Sequence, residues 1–137
     1  MRGHWTLLTS AGLAIAVVSA LTGCTGGSER ECEEALTAAA VSVEGVAAVE
    51  FTCEMSLTHS SQKGSVTISG TTEPEVTAVM EEVLRAFAAS ADLDDSLTLY
   101  VDYENEDGTA TAHPSRVGFN GNPRVSQIRE HYGITPG

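Results

Sequence analysis

The sequence predicts an α+β fold: a two-layer sandwich in which an antiparallel four-stranded sheet carries two helices on one face, in the order helix, hairpin, helix, hairpin, with a short C-terminal helix after them. Three observations predict it. Apolar residues alternate with polar ones in Val49, Phe51, Cys53, Met55 and Leu57 and again in Leu97, Leu99, Val101 and Tyr103, the period of strands with one buried face. Two other segments carry apolar stripes at helical spacing. Strands buried on one side and helices striped on one side satisfy each other when the helices cover that side of the sheet.

The first helix is expected from Glu31 to Val43, with Cys32, Leu36, Ala39, Ala40 and Val43 on one stripe and Glu31, Glu33 and Glu34 in the turn where the helix dipole favours anions. Gly45 ends it. The first strand runs from Val49 to Leu57, with Glu50, Thr52, Glu54 and Ser56 on the opposite side. The polar stretch Thr58 to Gly64 reads as a turn, and Val66 and Ile68 mark a second strand ending at Gly70. Thr72-Glu73-Pro74-Glu75 has the spacing of a capping box with proline in the first turn, where its missing N–H is harmless. Val76, Val79, Met80, Val83, Leu84 and Phe87 then form the stripe of the second helix. After the third strand, Asn105-Glu106-Asp107-Gly108 reads as a hairpin turn and Thr109 to His113 as a short fourth strand. Asn122-Pro123 opens a last helix bearing Val125, Ile128 and Tyr132, stopped at Gly133.

This order resembles the ferredoxin-like domains of envelope proteins, including the helix–sheet modules that build secretion rings. Gly45-Val46 ahead of the first strand is similar to the corresponding turn there. The resemblance implies an architecture, and an architecture does not carry a function.

The first 23 residues are of a different kind. Arg2 and His4 precede an uncharged run, Leu7 to Leu21, with the length and flank of a signal-peptide core; an uncleaved membrane anchor is the alternative. Directly after this run, Leu21-Thr22-Gly23-Cys24 resembles the lipobox of bacterial lipoproteins, of actinobacterial type by the compositional bias in which Lys63 is the only lysine. The resemblance implies that Cys24 receives diacylglycerol with palmitate-class acyl chains and becomes the N-terminus on cleavage. Two chains suit stable anchoring, whereas one gives marginal binding. The expected organisation is therefore a signal peptide over 1–23, the lipidated cysteine and a flexible tether over 24–30, and one α+β domain over 31–137. The expected location is the extracytoplasmic face of the cell membrane.

After Cys24, six basic residues stand against 19 acidic ones, a net charge of −13. Such a field repels nucleic acid and anionic lipid surfaces, and no basic stripe offsets it. With Cys24 lipidated, two of the three cysteines remain in an oxidising compartment. Cys32 shares the core stripe of the first helix and Cys53 the core phase of the first strand, and the chain reverses between them, so a disulfide Cys32–Cys53 is expected.

No nucleophile elbow, metalloprotease helix, Cys-x-x-Cys pair or phosphate-cradling glycine loop occurs in the sequence. His59, His113 and His131 read as surface residues. The acidic run Asp102 to Gly108 fails the EF-hand template, because glycine falls at the seventh place and His113 stands where the bidentate glutamate belongs. Asp92, Asp94 and Asp95 read as a polar loop. The sequence thus points to a non-enzymatic accessory protein, with no catalytic residue, metal or cofactor, that contacts an envelope protein. The alternative is a small-ligand or cation-binding module that uses the acidic loops.

Overall fold

A computed structural model describes residues 27–137, in which the chain runs α1 (Gly27–Val41), β1 (Val46–Met55), β2 (Ser60–Ile68), α2 (Glu73–Ala89), β3 (Thr98–Asn105), β4 (Thr111–Ala112), a 3-10 turn (Pro114–Val117) and α3 (Val125–Tyr132). The fold is α+β, with a four-stranded mixed sheet in the order β1-β2-β3-β4 and three helices. Among the described residues no helix is long and apolar enough to cross a membrane.

The second helix forms where its signals lie. Thr72 is the N-cap, its Oγ1 accepting the Glu75 N–H at 3.4 Å, and Pro74 sits in the first turn. The reciprocal arm of the box goes one residue upstream, Glu75 Oε2 accepting the Thr71 N–H at 2.8 Å. Val76, Met80, Val83, Leu84 and Phe87 are buried, and Val79 is partly buried against them. The last helix also ends where expected, at Gly133 in the left-handed region (φ 62°), which spares a side chain the strain of that conformation.

Alternation sets the faces of the sheet. Phe51 and Cys53 of β1 are buried, with Val49 and Met55 partly buried, whereas Glu50, Thr52 and Glu54 are exposed. In β3, Leu99, Val101 and Tyr103 are buried and Tyr100, Asp102 and Glu104 exposed. Register unites these into rows: Cys53 pairs with Gln62 and Gln62 with Leu99, while Val49 pairs with Val66 and Val66 with Tyr103. The Phe51 ring meets that of Phe87 edge-on at 6.0 Å, tying β1 to α2.

Four expectations are corrected. The sheet is not wholly antiparallel: β1–β2 and β3–β4 are, but β2 and β3 run parallel. The cause is the length of α2. Its 17 residues span about 25 Å, close to the length of an eight-residue strand, so the chain returns to the end of the sheet from which β2 started. The stretch Thr58 to Gly64 is mostly strand, because β2 begins at Ser60; its polar residues pair with β1 on one side and β3 on the other. The first helix occupies Gly27–Val41 instead of 31–43, so residues 27–30 of the expected tether are helical, with Glu29 supplying the acidic first turn. The first strand starts at Val46 and ends at Met55, short of Leu57.

Candidate functional site

Cys24, the expected lipid-bearing residue, lies outside the described residues, as do the expected signal peptide and residues 25 and 26 of the tether. Cys32 and Cys53 form a disulfide, with Cα atoms 6.2 Å apart across a sequence separation of 21. Both are buried. The bond joins the early turns of α1 to the later part of β1, and carboxylates reinforce the same seam. Glu33 Oε1 accepts the Cys53 N–H at 3.2 Å, and Glu29 Oε1 accepts the Met55 N–H at 3.4 Å. Two N–H groups on this edge of the sheet are thus occupied by α1, which blunts that stretch as a template for pairing.

These contacts also orient the domain. Glu29 lies in the first turn of α1, five residues after Cys24, and it touches the end of β1 where the β1–β2 hairpin begins. The hairpin tip and the start of α1 therefore share one end of the sheet. At that end a cleft of 500 Å³ is lined by the hairpin residues Ser56 to Ser60, by Ser96, Thr98 and Tyr100, and by Arg124. The hairpin is held by the Ser56 Oγ, which accepts the His59 N–H at 3.0 Å and donates to the His59 carbonyl at 2.9 Å. Arg124 arrives because Thr98 forms a bridge with it, and Leu99 N–H donates to the Pro123 carbonyl at 3.0 Å. His59 thus lines a cleft with an arginine.

The acidic loops do not converge. Asp94 Oδ1 accepts from the Ser96 hydroxyl and, at 2.8 Å, from the Ser96 N–H; these bonds hold its carboxyl below the usual carboxylate range. Asp107 Oδ1 accepts the Thr109 hydroxyl at 2.7 Å and the Thr109 N–H at 3.3 Å, with the same effect. Asp95 pairs with Arg129. Among the described residues no group of three or more histidine, cysteine or carboxylate side chains is placed to hold a metal ion. The acidic run that fails the EF-hand template is the end of β3, Asp102 to Asn105, followed by the hairpin turn Asn105 to Gly108, closed by the Gly108 N–H to the Asn105 carbonyl at 3.1 Å.

Two of the histidines have local partners. His113 Nδ1 accepts the Ser115 N–H at 3.1 Å, which puts the proton of its neutral ring on Nε2. His131 packs against Phe119 with ring centroids 4.4 Å apart and the ring planes tilted by 43°. Sequence reasoning missed Arg129, the most heavily engaged side chain in the domain: its guanidinium donates to the carbonyls of Ala88 (3.0 Å), Ser90 (2.6 Å) and Leu93 (3.1 Å), closing the loop after α2. It also missed Gln62, whose amide is fully buried on the inner face with no hydrogen-bond partner.

The outer face of the sheet presents Glu50, Glu54, Asp102 and Glu104 with the single lysine, Lys63, all exposed. By register, Glu50 and Asp102 stand on either side of Ser65, toward the end of the sheet away from the hairpin cleft. No family model, curated protein or solved structure matches the chain.

Proposed function

We propose that this chain is an exported lipoprotein, anchored by diacylglycerol on Cys24 to the extracytoplasmic face of the cell membrane, where it acts as a non-enzymatic accessory protein contacting an envelope protein. The observation that carries the reading is the disulfide. It commits Cys32 and Cys53 to each other, as suits an oxidising compartment, so that of the three cysteines in the sequence Cys24 is the remaining one. That cysteine is the one behind the lipobox-like Leu21-Thr22-Gly23.

In this reading α1 and α2 share one face of the sheet. Support comes from the single buried cluster that unites Leu36 of α1, Phe51 and Val66 of the sheet and Phe87 of α2. The opposite face is left for the partner, a protein with a basic surface, because Glu50, Asp102 and Glu104 outnumber Lys63 there. What weighs against the small-ligand alternative is that Asp94 and Asp107 of the acidic loops are turned onto local N–H and hydroxyl groups.

Metabolic labelling with a fatty-acid analogue tests the anchor: the wild-type chain takes label, and Cys24→Ser accumulates as an unlabelled precursor. Label on Cys24→Ser ends the lipoprotein reading. A photoreactive residue at Thr52 tests the contact. Crosslinks to one protein that weaken in Asp102→Lys and in raised salt support it, and crosslinks equal to those from Thr37 on α1 overturn it.

A further inference from the structure

We infer that the cleft between the β1–β2 hairpin and α3 binds the phosphate of an anionic lipid headgroup, with the Arg124 guanidinium and the His59 ring N–H as its principal donors. The inference rests on the anchoring of Cys24, which decides that this end of the domain faces the membrane. Four observations carry it.

The lining is a donor set. Arg124 offers a guanidinium fork suited to phosphate, His59 an imidazole, and Thr58, Ser60, Thr98 and Tyr100 hydroxyls. None of the lining residues is a carboxylate, although 19 of the chain's residues are acidic and each of four other surface clefts contains at least one. A cation or an amine would need an acid here; a sugar is commonly gripped by acids and amides. An anionic oxygen needs only donors.

Arg124 is also uncommitted. Among the described residues, Arg85, Arg116 and Arg129 form ion pairs with carboxylates, whereas Arg124, like Arg30 on α1, forms none, and of these two only Arg124 lines the cleft. The adjoining acids are engaged elsewhere, Asp94 with Ser96 and Asp95 with Arg129; Glu54 is exposed on β1 and does not line the cleft.

Position supplies the third observation. The Glu29–Met55 contact sets the start of α1 beside this hairpin, so a lipid on Cys24 holds the cleft near the headgroup layer. Tethering raises the effective headgroup concentration to the millimolar range or above, which fills even a weak site. The fourth is Leu57. It stands fully exposed at the hairpin tip, flanked by Ser56 and Thr58, an apolar side chain at the point that would meet the interface. The net charge of −13 repels an anionic surface as a whole; the anchor on Cys24 holds the domain there against that field, and the cleft, which no carboxylate lines, offers local donors to a headgroup that the anchor has already brought near.

The test is NMR titration of the full-length lipidated chain in nonionic detergent micelles, following the side chains of Arg124, His59 and Tyr100. The probes are dihexanoyl phosphatidylglycerol, dihexanoyl phosphatidylcholine and inorganic phosphate. Expected are saturable shifts with phosphatidylglycerol, weakened at least tenfold by Arg124→Gln and severalfold by His59→Gln, and unchanged in Arg116→Gln, whose guanidinium pairs with Glu73. Amide spectra of the variants must keep the native dispersion. Absence of saturable shifts with phosphatidylglycerol overturns the proposal, as does an equal loss in Arg116→Gln. Inorganic phosphate binding as tightly as phosphatidylglycerol reassigns the site to free phosphate, and equal binding of phosphatidylcholine removes the preference for an anionic headgroup; either result overturns the headgroup assignment. Because micelles replace the bilayer, failure here leaves the acyl-labelling result on Cys24 standing by itself.

Discussion

The ring of Phe51 lies against Gly64, its cross-strand partner on the inner face of the sheet. A Cβ placed on Gly64 would stand 2.6 Å from Phe51 Cδ1 and 2.2 Å from the Glu50 carbonyl oxygen. The second contact is with backbone, which cannot turn aside as a side chain can. Gly64→Ala should therefore destabilise the domain by about 2–3 kcal/mol, at the upper end of overpacking costs. Trimming the ring as well, in Phe51→Leu/Gly64→Ala, should not restore stability, because the carbonyl remains. Urea unfolding midpoints of the three proteins decide it. A Gly64→Ala protein as stable as wild type would show that β1 and β2 are not paired in this register.

Arg129 holds the loop that joins α2 to β3. Its side chain is 12% exposed and donates to three carbonyls, whereas its acidic partner Asp95 is 69% exposed. Removing a buried donor strands the acceptors, and an exposed ion pair contributes little. Arg129→Met is thus expected to cost about 3 kcal/mol and Asp95→Asn less than about 1 kcal/mol. Arg129→Lys should behave like Arg129→Met, since one ammonium cannot reach three carbonyls in the fork geometry. Thermal unfolding gives the ranking, and amide exchange over residues 90–95 should rise in Arg129→Met before the rest of the domain opens.

Burial pushes two phenols upward. Desolvation raises Tyr103 far above its ordinary range, and desolvation with the nearby Glu81 charge raises Tyr132 to about 12 from 10.0. Each folded-state value lies above its unfolded value, so their contribution to stability is intact below pH 10; that of Tyr132 is lost as pH rises from 10 to about 12, and that of Tyr103 falls over the same range and beyond it. Stability should fall over that window, and Tyr132→Phe should flatten the fall. At neutral pH Tyr103→Phe should be neutral or stabilising by up to about 1 kcal/mol, because the Tyr103 hydroxyl is buried without a partner. Phenolate absorbance against pH, beside unfolding curves at each pH, checks both. Phenolate formation by Tyr103 in the folded protein at pH 10 would contradict its burial.

What the sequence displays depends on how local the cause is. Helix α2 is legible because Thr72, Pro74 and the stripe from Val76 to Phe87 act within one element. The faces of β1 and β3 are legible because one buried side imposes alternation. Ser60 to Lys63 read as a turn, since their strand state comes from neighbours on both sides and not from their own propensities. The parallel pairing of β2 with β3 turns on the reach of α2 relative to strand length, a comparison between elements that neither the helical stripe nor the strand alternation displays by itself. The cleft is less visible still: His59, Tyr100 and Arg124 lie on three separate segments, and only the bridge from Thr98 to Arg124 brings the last one in. Cys32 and Cys53 were legible as a pair because phase and parity agreed, each falling on the buried side of its own element.

That disulfide closes a loop with a sequence separation of 21, and restricting the unfolded chain over such a loop is worth roughly 3 kcal/mol on the entropy account. A domain of this size has a total stability of about 5–15 kcal/mol, so the bond is a large share. Its place sharpens the consequence. Cys32 lies in α1 near the helix start, the end pulled by any anchor on Cys24, and the other ties at that seam are the Glu33 and Glu29 carboxylates on the N–H groups of Cys53 and Met55. Partly buried hydrogen bonds of that kind, each worth about 1–3 kcal/mol at most, do not replace a covalent link. Reduction should therefore lower the melting temperature by roughly ten degrees or more, at 4–8 °C per kcal/mol for a small domain. The loss should begin at α1: amide exchange in the first helix should accelerate on reduction while α2 and β3 stay protected. Cys32→Ala/Cys53→Ala should match the reduced protein to within about 1 kcal/mol, the residue being the packing of two small buried side chains. Thiol counting under denaturing, non-reducing conditions on Cys24→Ser protein exported to an oxidising compartment should find none free. Two free thiols, or a melting temperature indifferent to reductant, would remove the staple and with it the main support for export.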